Sequence, residues 1–280
     1  MRVFITGAGG QLGHELVTAL ARHDVTAVDH AALDVGAPDA VHAAITASSP
    51  DVIVHAAAWT AVDACEGDPE LAWRVNTDGT TNIAAAARAV GARVVYFSTD
   101  YVFDGTKPDP YLETDVPNPQ SEYGKSKLGG ERALGPDDTI LRISWVCGRH
   151  GNNMVKTILR LAAEHDTLQF VDDQRGNPTF ADDAAGMVAR LVDDARTGLF
   201  HVTNQGAVSW FEFAQAVLAA AGLDAARVSP IATADLVPAR PAPRPVNSVL
   251  ANAALRATGI PLLPDFHEPL DRLVRELTAS

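Results

Sequence analysis

Short apolar runs alternating with helical stretches predict an α/β chain, a doubly wound parallel sheet followed by a smaller C-terminal lobe. Two further observations support this. A glycine-rich turn follows the first apolar run, and a tyrosine and a lysine stand four residues apart in Tyr123-Gly124-Lys125-Ser126-Lys127. The first run, Arg2-Val3-Phe4-Ile5-Thr6, is bounded by glycine and reads as a buried parallel strand. Leu12, Leu16 and Leu20 then recur at helical spacing, so Gly7, Gly10 and Gly13 lie at a strand-to-helix turn. Such a turn lets backbone N–H groups approach a pyrophosphate at a helix N-terminus. Val25-Thr26-Ala27-Val28 is the second strand and ends in Asp29, where a carboxylate meets the hydroxyls of an adenosine ribose.

Asp51 to His55 is the third strand and leads into Ala56-Ala57-Ala58-Trp59-Thr60. Leu71 to Val90 is alanine-rich and helical in propensity. Arg93 to Phe97 is a strand running into Ser98-Thr99-Asp100-Tyr101, and Ile140 to Trp145 is another. Ligands of such sheets bind at the carboxyl ends of the strands, which brings the glycine turn, Ala58-Trp59-Thr60 and Thr99 to one crevice. The division expected is a Rossmann-like dinucleotide domain over 1–146, joined by 166–204, with 147–165 and 205–280 forming mainly a substrate lobe. In that lobe Lys156 to Glu164 is amphipathic, Phe170 and Val171 end a strand, and Trp210 to Ala221 is helical. Residues 238–245 hold four prolines with Arg240 and Arg244, too many prolines for a regular element. Arginines on such a segment suit an anionic substrate.

On a helix, Tyr123 and Lys127 share one face. An ammonium there favours the phenolate, so the tyrosine pKa is expected to fall from about 10 toward the range of a working general acid. Thr99 supplies a hydroxyl to orient the oxygen that receives the proton. Two of the chain's four lysines sit in this pentapeptide.

Composition narrows the setting. With 22 basic against 35 acidic residues in 280, the chain lacks the basic footprint of a nucleic-acid or anionic-membrane binder. Cys65 and Cys147 read as free thiols of a reducing compartment. No apolar stretch approaches the roughly 18 residues of a membrane span. The chain opens on a core strand, and the expectation is a cytoplasmic protein without a signal peptide.

The run Ser98-Thr99-Asp100-Tyr101-Val102-Phe103-Asp104-Gly105, then Pro117-x-Pro119-x-x-x-Tyr123-Gly124-x-Ser126-Lys127-Leu128-x-Gly130-Glu131, resembles the dTDP-4-dehydrorhamnose reductase family of the extended short-chain dehydrogenases/reductases. Ala56 to Asp63, Asp172-Asp173-Gln174-x-Gly176-x-Pro178-Thr179 and Arg244-Pro245-x-Asn247-Ser248 fit the same family, nearly end to end. The resemblance implies reduction of the 4-keto group of a dTDP-4-keto-6-deoxy-L-hexose by NADH or NADPH. Tyr123, Lys127 and Thr99 are then the catalytic residues, with Tyr123 and Lys127 also meeting the cofactor. Gly7, Gly10, Gln11, Leu12, Gly13, Asp29, Ala58, Trp59 and Thr60 are cofactor-contacting positions. Thr99, Asp100, Tyr101 and Trp145 meet the substrate. No metal site is assigned, although some relatives bind Mg²⁺ through acidic residues near the positions of Glu15, Asp182 and Asp183, all acidic here. A preference for NADH, modest rather than absolute, follows from Asp29 with no lysine or arginine in the next four residues. The quaternary state expected is monomer or homodimer.

Arg175, and Ala251 to Ala254, depart from the family pattern in the substrate half. These departures put the exact sugar in question, and two other readings stay open. One is a 4-ketoreductase of an antibiotic deoxysugar pathway, such as a dihydrostreptose synthase. The other is a non-catalytic dinucleotide-binding subunit, as in the methionine adenosyltransferase beta subunit, which resembles this family.

Overall fold

The computed structural model describes residues 1–279. Six strands form one parallel sheet: β1 (Arg2–Thr6), β2 (Asp24–Val28), β3 (Val52–His55), β4 (Arg93–Thr99), β5 (Thr139–Ile143) and, later in the chain, β7 (Gly198–His201). Their spatial order is β7-β5-β4-β3-β1-β2, every neighbour parallel. The chain steps from β1 outward to β2 and then returns to the other side of β1 for β3. That reversal creates a crevice beyond the carboxyl ends of β1 and β3.

Strand alternation divides the apolar residues between the two faces. Val3, Ile5, Val52, Val54, Val95, Phe97 and Leu141 join one core with the helices Gln11–Ala19 and Ala181–Asp193. Phe4, Ile53, Val94 and Tyr96 join another with the helices Pro38–Ser48 and Gly79–Val90. A separate core assembles the later elements: the helices Met154–Glu164, Trp210–Ala220 and His267–Thr278, packed with β6 (Leu168–Val171) and β8 (Val228–Ile231). Phe213, Phe266 and Leu270 are fully or almost fully buried there. β6 lies in the segment the sequence reading joins to the dinucleotide half, yet it pairs with β8, and its Leu168 and Phe170 face the later core.

Three local differences bear on the site. The helical stretch from Leu71 to Val90 is interrupted at Arg74–Asp78 by a π-helical turn. The strand expected through Trp145 stops at Ile143, and Trp145 takes a left-handed backbone, φ 47°. The proline-rich 238–245 segment has no regular element and is tied down by Arg244, which donates to both oxygens of Asp63. Among the described residues no helix is long and apolar enough to cross a membrane.

Candidate active site

A cleft runs along the carboxyl ends of the strands as two adjoining cavities that share Gly7, Gly10, Ala56 and Ala58. The glycine turn forms their common floor. Gly7 has φ 69°, and a side chain there would begin 2.6 Å from the Ala57 backbone nitrogen. Only glycine lets the turn after β1 lie this close to the turn after β3. The helix Gln11–Ala19 starts at Gly10 with no side-chain cap, which leaves its first-turn N–H donors for an anion. A bare backbone floor, an uncapped helix start and an elongated cleft fit the pyrophosphate and two nucleosides of a dinucleotide.

The near cavity, about 440 Å³, is lined by Gln11, Leu12 and Gly13, by Ala58 and Thr60, by Thr99, Asp100 and Tyr101, and by Tyr123, Lys127 and Trp145. The far cavity, about 670 Å³, is lined by Asp29 and Trp59. Every cofactor and substrate position expected from the sequence therefore falls on this one cleft. Gln11 is fixed by donating to the Val146 carbonyl and accepting from Asn153.

The tyrosine helix, Glu122–Arg132, starts at Ser121, whose hydroxyl accepts from the Gly124 N–H. That cap sets the helix one residue before Tyr123 and aims Tyr123 and Lys127 along one face. Both are buried, at 8% and 3% exposure. Tyr101 meets Tyr123 edge to face, ring centres 5.6 Å apart. Thr99 Oγ1 donates to Asp100 Oδ1 at 3.0 Å and accepts from the Tyr101 N–H.

Burial governs the electrostatics here, and it corrects the expected sign at Tyr123. The phenol is pushed well above its ordinary value by desolvation, opposed by a hydrogen bond with Thr99. The Lys127 ammonium instead lies over the Tyr96 ring, 4.2 Å from its centre. Desolvation pulls Lys127 down to about 7 against the opposing charge of Glu131. Tyr123 therefore keeps its proton, the form a proton donor needs, and Lys127 stands where a small change in surroundings alters its charge. Asp100 is pushed up to about 6 by burial, opposed by the nearby Ser248 and Thr99 hydroxyls, and among the described residues its Oδ2 has no hydrogen-bond partner.

Behind these residues lies a buried charge network that the sequence reading did not single out. Glu131 accepts from Arg142 through Nε at 2.8 Å and Nη2 at 2.7 Å, and from the Ser98 hydroxyl at 2.5 Å. It joins the tyrosine helix to β4, at the residue before Thr99, and to β5. Asn76, on the π-helical turn, accepts from the Trp59 N–H at 2.8 Å and donates to the Trp59 carbonyl and to Ser126. It clamps the loop after β3 to the tyrosine helix. A π-helical turn is often found at functional sites.

Trp145 stacks on Trp210 with ring centres 3.5 Å apart and planes 7° from parallel. Both line the near cavity, as does Asn152. Trp210 comes from the later lobe. The sequence signal for it was an aromatic at a helix start, and only the fold brings it to Trp145.

The acidic trio of Glu15, Asp182 and Asp183 is engaged by cations. Arg272 donates to Asp182 at 2.7 Å and to Asp183 at 2.8 Å. Glu15 lies 4.0 Å from Arg149 and 3.7 Å from His150. Among the described residues, no three histidine, cysteine, aspartate or glutamate side chains are grouped to hold a metal.

Comparison with known proteins places this geometry. The family model described as the RmlD substrate binding domain matches residues 1–279. A dTDP-4-dehydrorhamnose reductase of Burkholderia thailandensis is 41% identical over 301 residues, covering 100% of both chains. The crystal structure of a dTDP-4-dehydrorhamnose reductase from Clostridium acetobutylicum superposes with a TM-score of 0.95 at 41% identity, covering 99% of this chain and 100% of that one. The Bacillus anthracis dTDP-4-dehydrorhamnose reductase in complex with NADP gives 0.94 at 38% identity, covering 98% and 99%.

Proposed function

The chain belongs to the family of the RmlD substrate binding domain, and from that premise we propose that it reduces the 4-keto group of a dTDP-4-dehydro-6-deoxy-L-hexose, first of all dTDP-4-dehydro-L-rhamnose to dTDP-L-rhamnose. The observation that carries the reading is the convergence of Thr99, Tyr123 and Lys127 at the buried end of a cleft floored by the glycine turn. An intact proton donor at that place favours an enzyme over a non-catalytic binding subunit.

A reduced nicotinamide bound in the cleft supplies hydride. Tyr123 gives its phenolic proton to the oxygen of the reacting ketone. Thr99 orients that oxygen by turning its one hydroxyl hydrogen from Asp100 Oδ1 to the ketone, while its oxygen stays held by the Tyr101 N–H. Lys127, charged, favours the phenolate that remains on Tyr123 and meets the nicotinamide ribose. Gly7, Gly10, Gln11, Leu12 and Gly13 hold the pyrophosphate, with Ala58, Trp59 and Thr60 closing over the cofactor. Tyr101, Asp100 and Trp145 hold the sugar. Trp145 and Trp210, stacked on each other, present an apolar wall to the near cavity.

At the other end, Asp29 accepts hydrogen bonds from free ribose hydroxyls and repels a 2′-phosphate. NADH is therefore favoured, modestly, because that end is open to water.

The test is incubation of the protein with NADH or NADPH and a small panel of enzymatically prepared dTDP-4-keto sugars, following cofactor oxidation and identifying products. Oxidation with dTDP-4-dehydro-L-rhamnose and formation of dTDP-L-rhamnose supports the reading. Turnover confined to another keto sugar moves the protein to a different deoxysugar pathway. Dinucleotide binding without oxidation on any member of the panel points to the regulatory-subunit alternative.

A further inference from the structure

The far cavity holds a cation that local sequence does not place there. The four residues after Asp29 carry no lysine or arginine, yet Arg74, from the π-helical turn 45 residues on, lines the same cavity as Asp29 and His30. Among the described residues lining that cavity, Arg74 is the one lysine or arginine.

Its position is built. Arg74 Nη1 donates to Asp34 Oδ2 at 2.8 Å. The guanidinium lies against Gly36, where a side chain would begin 2.5 Å from Nη1 and 3.2 Å from Cζ. Glycine at 36 therefore makes the room Arg74 occupies. Asp34 is held in turn by the Gly36 N–H at 2.9 Å, and these contacts keep its carboxyl below the ordinary range. On the same cavity, Asp29 Oδ1 accepts from the Ala32 N–H at 3.0 Å, and Asp29 stands beside Gly9 of the glycine turn. A guanidinium has five donors, and the bond to Asp34 uses only Nη1. The remaining donors form a fork that suits a phosphate.

We propose that Arg74 is the residue that admits a 2′-phosphate on the adenosine ribose, with Asp34 acting as its resting partner when the ribose carries only hydroxyls. The inference rests on the reading that the cleft takes a nicotinamide dinucleotide. It adds a second reason, beside the water at that end, to expect the preference set by Asp29 to be modest. Asp29 reads the hydroxyls, and Arg74 offsets the charge of the phosphate by leaving one anion for another. An ordinary surface ion pair, the plainer account of Arg74 and Asp34, contributes to stability alone and has no effect that depends on the 2′-phosphate.

Calorimetric binding separates the two accounts without turnover. The ligands are NADH, NADPH and the fragment pair adenosine 5′-monophosphate and adenosine 2′,5′-bisphosphate, titrated into wild type, Arg74→Gln and Asp34→Asn. Arg74→Gln is expected to weaken both 2′-phosphorylated ligands by about tenfold, and to leave NADH and the 5′-monophosphate within about twofold. Asp34→Asn frees the guanidinium and is expected to tighten the 2′-phosphorylated ligands. Equal weakening of all four ligands by Arg74→Gln, or of none, overturns the proposal. A wild-type protein that binds neither dinucleotide overturns the cofactor reading itself, and this inference with it.

Discussion

The two ends of the cleft are built on opposite principles. At the near end Tyr123, Lys127, Thr99 and Asp100 are all at most 8% exposed, and each is fixed by neighbours from other elements. At the far end the Arg74 and Asp34 side chains remain 45% and 39% exposed. Burial at the near end moves pKa values strongly, holds a proton on Tyr123 and draws Lys127 down to about 7. Water at the far end screens charge, so recognition there is graded. On the function proposed above, chemistry falls at the buried end and cofactor selection at the exposed one. Substitutions at the near end should therefore cost far more than those at the far end.

The largest effect is expected beneath the near end. Glu131→Gln leaves the buried Arg142 guanidinium without its carboxylate partner, where both side chains are at most 7% exposed. Breaking a buried pair in this way costs about 3–5 kcal/mol. Denaturant unfolding of the variant measures this, and a loss below about 1 kcal/mol, the range of a surface pair, breaks the comparison.

Tyr123→Phe keeps the ring and removes the acidic proton. Turnover should fall by on the order of a hundredfold or more, while NADH affinity by calorimetry stays near wild type. Near wild-type turnover removes Tyr123 from the mechanism.

Lys127→Met removes a charge held at a cost. Turnover and dinucleotide affinity should both fall. Stability supplies a second readout. The folded lysine titrates near 7 and the unfolded one near 10.5, so between those values the unfolded chain binds more protons and wild-type stability rises with pH from this group. Unfolding followed from pH 7 to 10.5 should show that rise reduced in Lys127→Met. An unchanged slope shows that Lys127 is not desolvated.

The smallest effect belongs to the far end. Asp29→Ala should shift the NADH-to-NADPH ratio of kcat/KM toward NADPH by less than about tenfold, the range of partly exposed charges. A strong wild-type preference for NADPH that Asp29→Ala leaves unmoved shows that Asp29 does not read the ribose.

The same contrast explains what could be read in the sequence. β1, the glycine turn, β4 and the Tyr123 helix are local patterns, and their order along the chain implies the parallel sheet. Tyr123 and Lys127 are one helical turn apart, and Thr99 ends a strand, so short-range geometry brings them to one crevice. Arg74, Asn76 and Trp210 were not legible as neighbours of the cleft. Each arrives through long-range packing, and the π-helical turn carrying Arg74 and Asn76 has no marker in an otherwise helical run. The pKa of Tyr123 failed for a related reason. Helical spacing places an ammonium near a phenol, but burial depth, a property of the whole fold, decides which effect wins.

Reduction at the buried end is tested most directly by tracing the hydride. The protein is supplied with NADH carrying deuterium on the nicotinamide carbon that gives up hydride, together with dTDP-4-dehydro-L-rhamnose, and the sugar product is examined by NMR. We expect deuterium at C4 of the hexose of dTDP-L-rhamnose, with incorporation slowed in Tyr123→Phe. A product with deuterium at another carbon, or cofactor bound with no label transferred, contradicts the account.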